Sequence, residues 1–251
     1  MATSGRPSRR AVAAALKLCG RRLERRWPFL PAAEGKDLNL AFADLLEFQL
    51  ARGRNLTALV VGAYDGVAND PASDFIRAHA SHAVFVEPQP QPFKRLSDRM
   101  GAHPHVQLLN AAIDVASGSR KMYRVPGGIE GLPEWTEQLA SFDREHLLKH
   151  EERAPGLSQH IEELDVPTLS FNDLLTRCAI SKLDVLQIDA EGMDAQLLAW
   201  FPFDHVKPAL LHYEVAHMSA SEHRATTLRL KQLGYRIFAS ESPTDDMAVL
   251  F

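Results

Sequence analysis

Four side chains able to move protons crowd two short stretches late in the chain. Asp189 and Glu191 stand in LQIDAEGMD, Glu214 and His217 in LLHYEVAHM. Two carboxylates two residues apart at a strand end share one face if the strand continues. They diverge if Gly192 turns the chain, and then one faces a cofactor and the other an acceptor. A hydroxyl acceptor needs a general base within hydrogen-bond reach, and an imidazole such as His217 acts near neutral pH with little tuning. Each residue also has a plainer reading. Asp189 can cap a helix that starts near Met193, Glu191 can accept from backbone donors of its own turn, and Glu214 and His217 can be ordinary loop residues. Asp189, Glu191 and Glu214 have the chemistry of a carboxylate metal site, but nothing in their spacing requires one, and no metal is expected.

A second chemistry lies in LVVGAYDGVAND, residues 59–70. An apolar run ends at Gly62, and Gly66 follows after Ala63, Tyr64 and Asp65. A dinucleotide loop reads G-x-G-x-x-G and aims a helix N-terminus at a pyrophosphate. This loop lacks that pattern, and Asp65, Asp70 and Asp74 surround the place a pyrophosphate needs. Carboxylates repel a diphosphate and attract a cation. S-adenosylmethionine carries a sulfonium and an ammonium and no phosphate, so the loop favours it over NAD. Glu87, after the next apolar run, is placed to accept hydrogen bonds from both ribose hydroxyls. NAD sites use an acid in the same way, and a solvated strand-end acid is the plain alternative.

His146 and His150 stand four residues apart, the spacing of a zinc pair on a helix. No glutamate of the metalloprotease type lies between them, so they read as a solvated helix face. The stretch from Trp135 to His160 is long and polar, and is the best sequence-level choice for a lid over the acceptor.

These residues need a frame. Apolar runs at 58–61, 83–86, 106–112, 183–189 and 209–215 read as strands. Arg120 to Val125, Val166 to Leu169, Tyr235 to Ser240 and Met247 to Phe251 add further extended segments. Helical spacing marks 12–27, 38–51, 72–80, 92–100, 171–178, 193–201 and 221–233. Ser170 or Asn172 can cap the fifth of these, and Gly234 closes the last. Glu134 to Glu152 reads as one helix or a mobile connection. Alternating strands and helices argue an α/β fold, a mostly parallel sheet with helices on both faces. The turn-rich SESPTDD reverses one strand at or near the edge. Ligands in such sheets sit outside the carboxyl ends of the strands, where Gly62 to Gly66, Glu87, Asn110 to Ala112, Asp189 to Gly192 and Glu214 to His217 all fall.

Size and composition suit one such domain: 251 residues, 45% hydrophobic, with a formal net charge of -4. Nothing in that charge asks for nucleic acid, and none is expected as a partner. Cys19 and Cys178 read as two thiols of a cytoplasmic protein. Residues 1–37 form a basic extension, free of acids as far as Leu23. It reads as an ordinary helix, with a transit peptide or a membrane-surface helix as alternatives. The domain proper is expected over 38–251.

Several pieces, taken in order, resemble the FkbM family of S-adenosylmethionine-dependent methyltransferases. They are VVGAYDGVANDP (60–71), VFVEPQPQPFKRL (84–96), VQLLNAAI (106–113), LASFDREHLLKH (139–150), VPTLSFNDLL (166–175), LDVLQIDAEGMDAQLL (183–198), KPALLHYEVAHMS (207–219) and GYRIF (234–238). Val61 and Tyr64 stand where the family commonly has a polar residue and an asparagine. The resemblance implies a Rossmann-like class I methyltransferase fold, with seven strands, one of them antiparallel. It implies that Gly62, Tyr64, Asp65 and Gly66 wrap the methionine part of the cofactor and that Glu87, followed by Pro88, holds the ribose. Asn110, Ala111 and Ala112 line the adenine pocket, and Asp189 closes the site. It points to O-methylation of a small-molecule acceptor, a hydroxyl of a sugar or secondary metabolite. An NAD-dependent oxidoreductase and a non-catalytic nucleotide-binding domain are the alternatives.

Overall fold

In a computed structural model, which describes Leu46 and residues 56–67, 73–239 and 244–250, the chain builds two sheets. In chain order the strands are β1 (Leu56–Val61), β2 (Ala80–Val86), β3 (Val106–Leu109), β4 (Ala112–Ile113), β5 (Gly118–Arg124), β6 (Ala140–Ser141), β7 (Glu162–Leu169), β8 (Val185–Ile188), β9 (Leu210–Glu214), β10 (Arg236–Ala239) and β11 (Asp245–Val249). The helices are α1 (Ser73–His79), α2 (Pro90–Met100), α3 (Arg144–Leu148), α4 (Phe171–Arg177), α5 (Asp194–Trp200) and α6 (Ala220–Gln232). Two 3-10 turns cover Glu134–Gln138 and Leu157–His160. Of the expected helices at 12–27 and 38–51, only Leu46 lies among the described residues; it is helical and fully buried. Cys19 also lies outside them.

The larger sheet has the order β10-β11-β9-β8-β1-β2-β3. Its strands are apolar on both faces because helices cover both. Along β1, Leu59 and Val61 pack with Leu174 of α4, Leu197 of α5 and Leu230 of α6. The alternate residues Ala58 and Val60 pack with Ile76 of α1 and Leu96 and Met100 of α2. β1 pairs in parallel with β2 and β8, β2 with β3, and β8 with β9. β11 is antiparallel to both β9 and β10. One strand is reversed, near the edge as expected: it sits second from it.

Local signals hold the helices in place. The Ser170 hydroxyl accepts from Asp173 N and caps α4, so Ser170 and not Asn172 is the cap. Ser219 and Glu222 form a reciprocal capping box that starts α6 directly after the loop carrying His217. Pro90 opens α2, where its missing N–H costs nothing. Among the described residues no helix is long and apolar enough to cross a membrane.

Two expectations change. The run 106–112 is not one strand: β3 ends at Leu109, the chain bends at Asn110 and Ala111, and β4 joins a second sheet ordered β4-β7-β5-β6. In that sheet β4 and β7 are parallel, and β5 is antiparallel to β7 and β6. The segment 134–152 is neither one helix nor a loose connection. It breaks into a 3-10 turn, β6 and α3, because its own apolar residues form a small core. Leu139 and Leu147 bury with Val125, Ala154 and Leu157, and Trp135 packs against them. The stretch expected to be a polar lid therefore has an interior of its own.

Candidate active site

A cleft opens where β1, β2 and β8 end and the second sheet closes over them. It encloses about 870 Å³, counting its open mouth. Its floor is the β1 turn. Gly62 N and Ala63 N both donate to Val86 O, at 3.0 and 3.1 Å. Gly62 takes φ +79°, and a Cβ there would stand 1.6 Å from the Asp189 carbonyl oxygen. Only glycine lets the turn lie against the end of β8.

Glu87 follows β2 and is 4% exposed. Tyr64 N donates to one carboxylate oxygen at 2.9 Å and Gln89 N to the other at 2.7 Å. Burial pushes its pKa up to about 7, against the downward pull of those two N–H donors. Each oxygen keeps a second lone pair for a ligand. Asn110 stands behind: its Nδ2 donates to the carbonyls of Glu87 at 2.8 Å and Pro88 at 3.1 Å. It braces the Glu87 turn and is not part of the lining, whereas Ala111 and Ala112 are.

The acidic loop divides. Asp65 accepts from Val67 N at 2.9 Å and lies 3.8 Å from Arg95 Nε, so its charge is answered outside the cleft. Arg95 also donates to Glu137 at 2.9 Å and sits over the Tyr64 ring. Burial, with Glu137 nearby, pushes the Tyr64 hydroxyl pKa upward. Gly66 turns the loop beneath α2. Asp70 and the Asp74 side chain lie outside the described residues. The carboxylates that do line the cleft are Glu87, Asp189 and Glu191, so its wall is acidic, through partly different residues.

Past β8, the strand ends at Ile188, and Glu191 (φ +47°) and Gly192 (φ +94°) turn the chain. Asp189 does not cap α5. Met193 is the N-cap with no side-chain bond, and Asp194 accepts from Ala190 N at 3.4 Å. Asp194 is buried, which pushes its pKa up to about 7. Glu214 and His217 stand outside the lining, next to Glu191. His217 Nε2 is 3.5 Å from Glu191 and 3.8 Å from Glu214. Burial, then Asp189, Asp194 and Glu191, push Glu214 up to about 9. It holds its proton at neutral pH and is a poor base there.

Sequence reasoning missed two groups. Met122, Gln138, Ala140, Ser141 and Phe142 line the cleft from the second sheet and its approach; strands as short as β6 leave no periodicity to find them. His146 and His150 are not a solvated face. Each is 8% exposed, and their rings stand 4.8 and 5.8 Å, centroid to centroid, from His217. Burial lowers the pKa of both, and His217 lowers it further. Their spacing was the signal, and its correct partner was His217.

Residues 61–237 match the model of the methyltransferase FkbM domain. The curated proteins contain no match. Among solved structures the chain is similar to methyltransferase FkbM from Methylobacillus flagellatus KT, at 10% identity and TM-score 0.48, over 78% of this chain and 43% of that one. The chain thus spans less than half the length of that protein. It is similar to a putative caffeoyl-CoA O-methyltransferase from Staphylococcus aureus, at 10% identity and TM-score 0.43, over 95% and 99% of the two chains. A rRNA methylase from Streptococcus thermophilus matches at 9% identity and TM-score 0.39, over 78% and 87%. These likenesses concern the fold alone. One expectation is corrected, that of a small-molecule acceptor with no nucleic acid: the structures similar to this chain include ones described as a rRNA methylase and a putative RNA methyltransferase.

Proposed function

Because the chain belongs to the FkbM methyltransferase family, we propose that it transfers a methyl group from S-adenosylmethionine to a hydroxyl oxygen. The observation that carries this reading is the cleft wall. Glu87, Asp189 and Glu191 line it with Ala111 and Ala112. The donor set suits the cofactor: a buried carboxylate with free lone pairs for ribose hydroxyls, small residues for a flat ring, and acids for two cationic groups. S-adenosylmethionine supplies a methyl group already activated on a sulfonium.

The protein's own tasks are then alignment, exclusion of water and removal of one proton. Glu87 fixes the ribose end, held in turn by Tyr64 N and Gln89 N. The second sheet, through Met122 and Phe142, shields the opposite wall from water. Asp189 and Glu191 reach the acceptor end, and His217 backs Glu191 at 3.5 Å. Asp189 accepts the hydroxyl proton, and His217 orients Glu191 beside it.

Parallel calorimetric titrations with S-adenosylmethionine, S-adenosylhomocysteine and NAD test the cofactor. The first two bind and NAD does not; binding of NAD alone sinks the reading. Labelled methyl transfer to hydroxyl acceptors, small and polymeric, then identifies the acceptor.

A further inference from the structure

Three histidines from separate stretches meet beside the acceptor end of the cleft. His146 lies on α3, His150 in the turn after it, and His217 in the loop between β9 and α6. One ring nitrogen from each lies within 4.8 Å of the other two. The same limit holds for His217 with carboxylate oxygens of Glu191 and Glu214, so His217 is the hub of five donors.

Packing alone does not account for the arrangement. His150 stacks tilted against Trp135 at 5.7 Å, and the three rings meet edge to face. That disposes of the ring carbons and leaves nitrogens over. His146 Nε2 is buried with no hydrogen-bond partner, and so is Glu214 Oε2. Buried polar atoms in folded proteins nearly always find partners, so each orphan asks for an explanation. The backbone also makes room. At Gly192 a Cβ would stand 2.8 Å from His146 Cε1 and 3.5 Å from His217 Cβ. The turn that carries Glu191 therefore admits the His146 ring by lacking a side chain at that point.

We propose that His146, His150 and His217, with Glu191 as fourth donor, hold a divalent transition-metal ion of the zinc class at the acceptor end of the cleft. Imidazole nitrogens suit zinc, cobalt, nickel and iron(II), whereas magnesium demands oxygen ligands. Nitrogens around a tetrahedral zinc stand about 3.3 Å apart, from Zn–N bonds of 2.0–2.1 Å. The ring nitrogens stand within 4.8 Å of one another, so metal binding draws them together. A quarter of the His217 side chain is exposed, which leaves an entry path. Three neutral imidazoles and one carboxylate give the bound ion a net charge of +1. Its role in the reaction rests on the methyl-transfer reading: an acceptor hydroxyl that joins the ion as a fifth ligand becomes more acidic, and its proton passes to Asp189. The binding site itself does not rest on that reading.

The test is metal uptake by the full-length protein after chelator treatment. Calorimetry with zinc sulfate gives one ion per chain, and cobalt chloride gives the visible absorption of a four-coordinate nitrogen-rich centre. Magnesium chloride gives neither. His146→Ala and His217→Ala each lower zinc affinity at least a hundredfold, and zinc raises the melting temperature of the parent and not of the variants. Should His146→Ala fail to fold, the more exposed His217→Ala decides. Glu87→Gln keeps zinc and loses S-adenosylmethionine, so failure of the metal site and failure of the methyl-transfer reading are distinguishable. The proposal is overturned if the folded parent takes up no stoichiometric zinc or cobalt, or if the histidine variants bind as the parent does.

Discussion

The two ends of the cleft are built on opposite terms. At the tips of β1, β2 and β3, polar groups are already engaged by the backbone. Gly62 N and Ala63 N share Val86 O, both Glu87 oxygens accept N–H groups, and Asn110 spans two carbonyls. Among the described residues at those tips, Gln89 Oε1 is the exception, buried without a partner. At the tips of β8 and β9 the pattern inverts: Asp194 Oδ1, Glu214 Oε2 and, across from them, His146 Nε2 are buried and unpartnered. A satisfied network is rigid and keeps its shape without a ligand, whereas an unsatisfied one stores a cost that a ligand relieves. The first end is a preformed seat, and the second is incomplete.

The strongest way to break the comparison is Gly62→Ala. The new Cβ meets Asp189 O at 1.6 Å in a left-handed backbone, so the β1 turn and β8 must separate. The expected loss exceeds about 4 kcal/mol, read by thermal or urea unfolding. A normal melt shows that the seat is softer than described. Next is Glu87→Gln, which keeps the shape and removes the charge. S-adenosylmethionine affinity falls about ten- to a hundredfold, as a charged hydrogen bond is worth about 1.5–3 kcal/mol. The ionised form is the better acceptor, so parent affinity rises with pH through about 7. Titrations at pH 6 and 8 find no such rise in the variant.

Stability runs the other way with pH. Glu87 and Asp194 both have folded pKa values raised to about 7. Their contribution is fully present below their ordinary values near 4 and is lost as pH rises through about 7. Denaturant unfolding therefore gives a stability that falls between about pH 4 and 7. Asp194→Asn flattens that fall by up to about 1.4 kcal/mol per pH unit; an unchanged slope shows that Asp194 is already charged in the fold and its pKa is not raised. The smallest effect is expected from Ser219→Ala. It removes one side of the capping box next to His217 and costs about 1 kcal/mol. Hydrogen exchange then rises in the first turn of α6 and leaves the Gly62 turn unchanged.

The same contrast sets what the sequence could disclose. The seat is assembled from contiguous signals: an apolar run into glycine, an acid closing the next run, small residues after the third. Each sits at a strand end, and the strand ends are set by hydrophobic periodicity. The incomplete end is not contiguous. His146 and His217 are brought together by a sheet whose strands β4 and β6 have two residues each, too short for a pattern. Asp65 misled in the opposite sense. Its charge was legible, but its partner Arg95 lies on α2, thirty positions on, and only the fold puts them together.

The bend at Asn110 and Ala111 has a thermodynamic consequence. It joins β3 of one sheet to β4 of the other, and Ala111 and Ala112 face the cleft at that joint. A molecule seated there presses on both layers at once. Its contact free energy therefore adds to the cohesion of the two sheets, and the fold is more stable with it bound. The joint between the two layers is also a wall of the cleft, and its lining there is a pair of alanines.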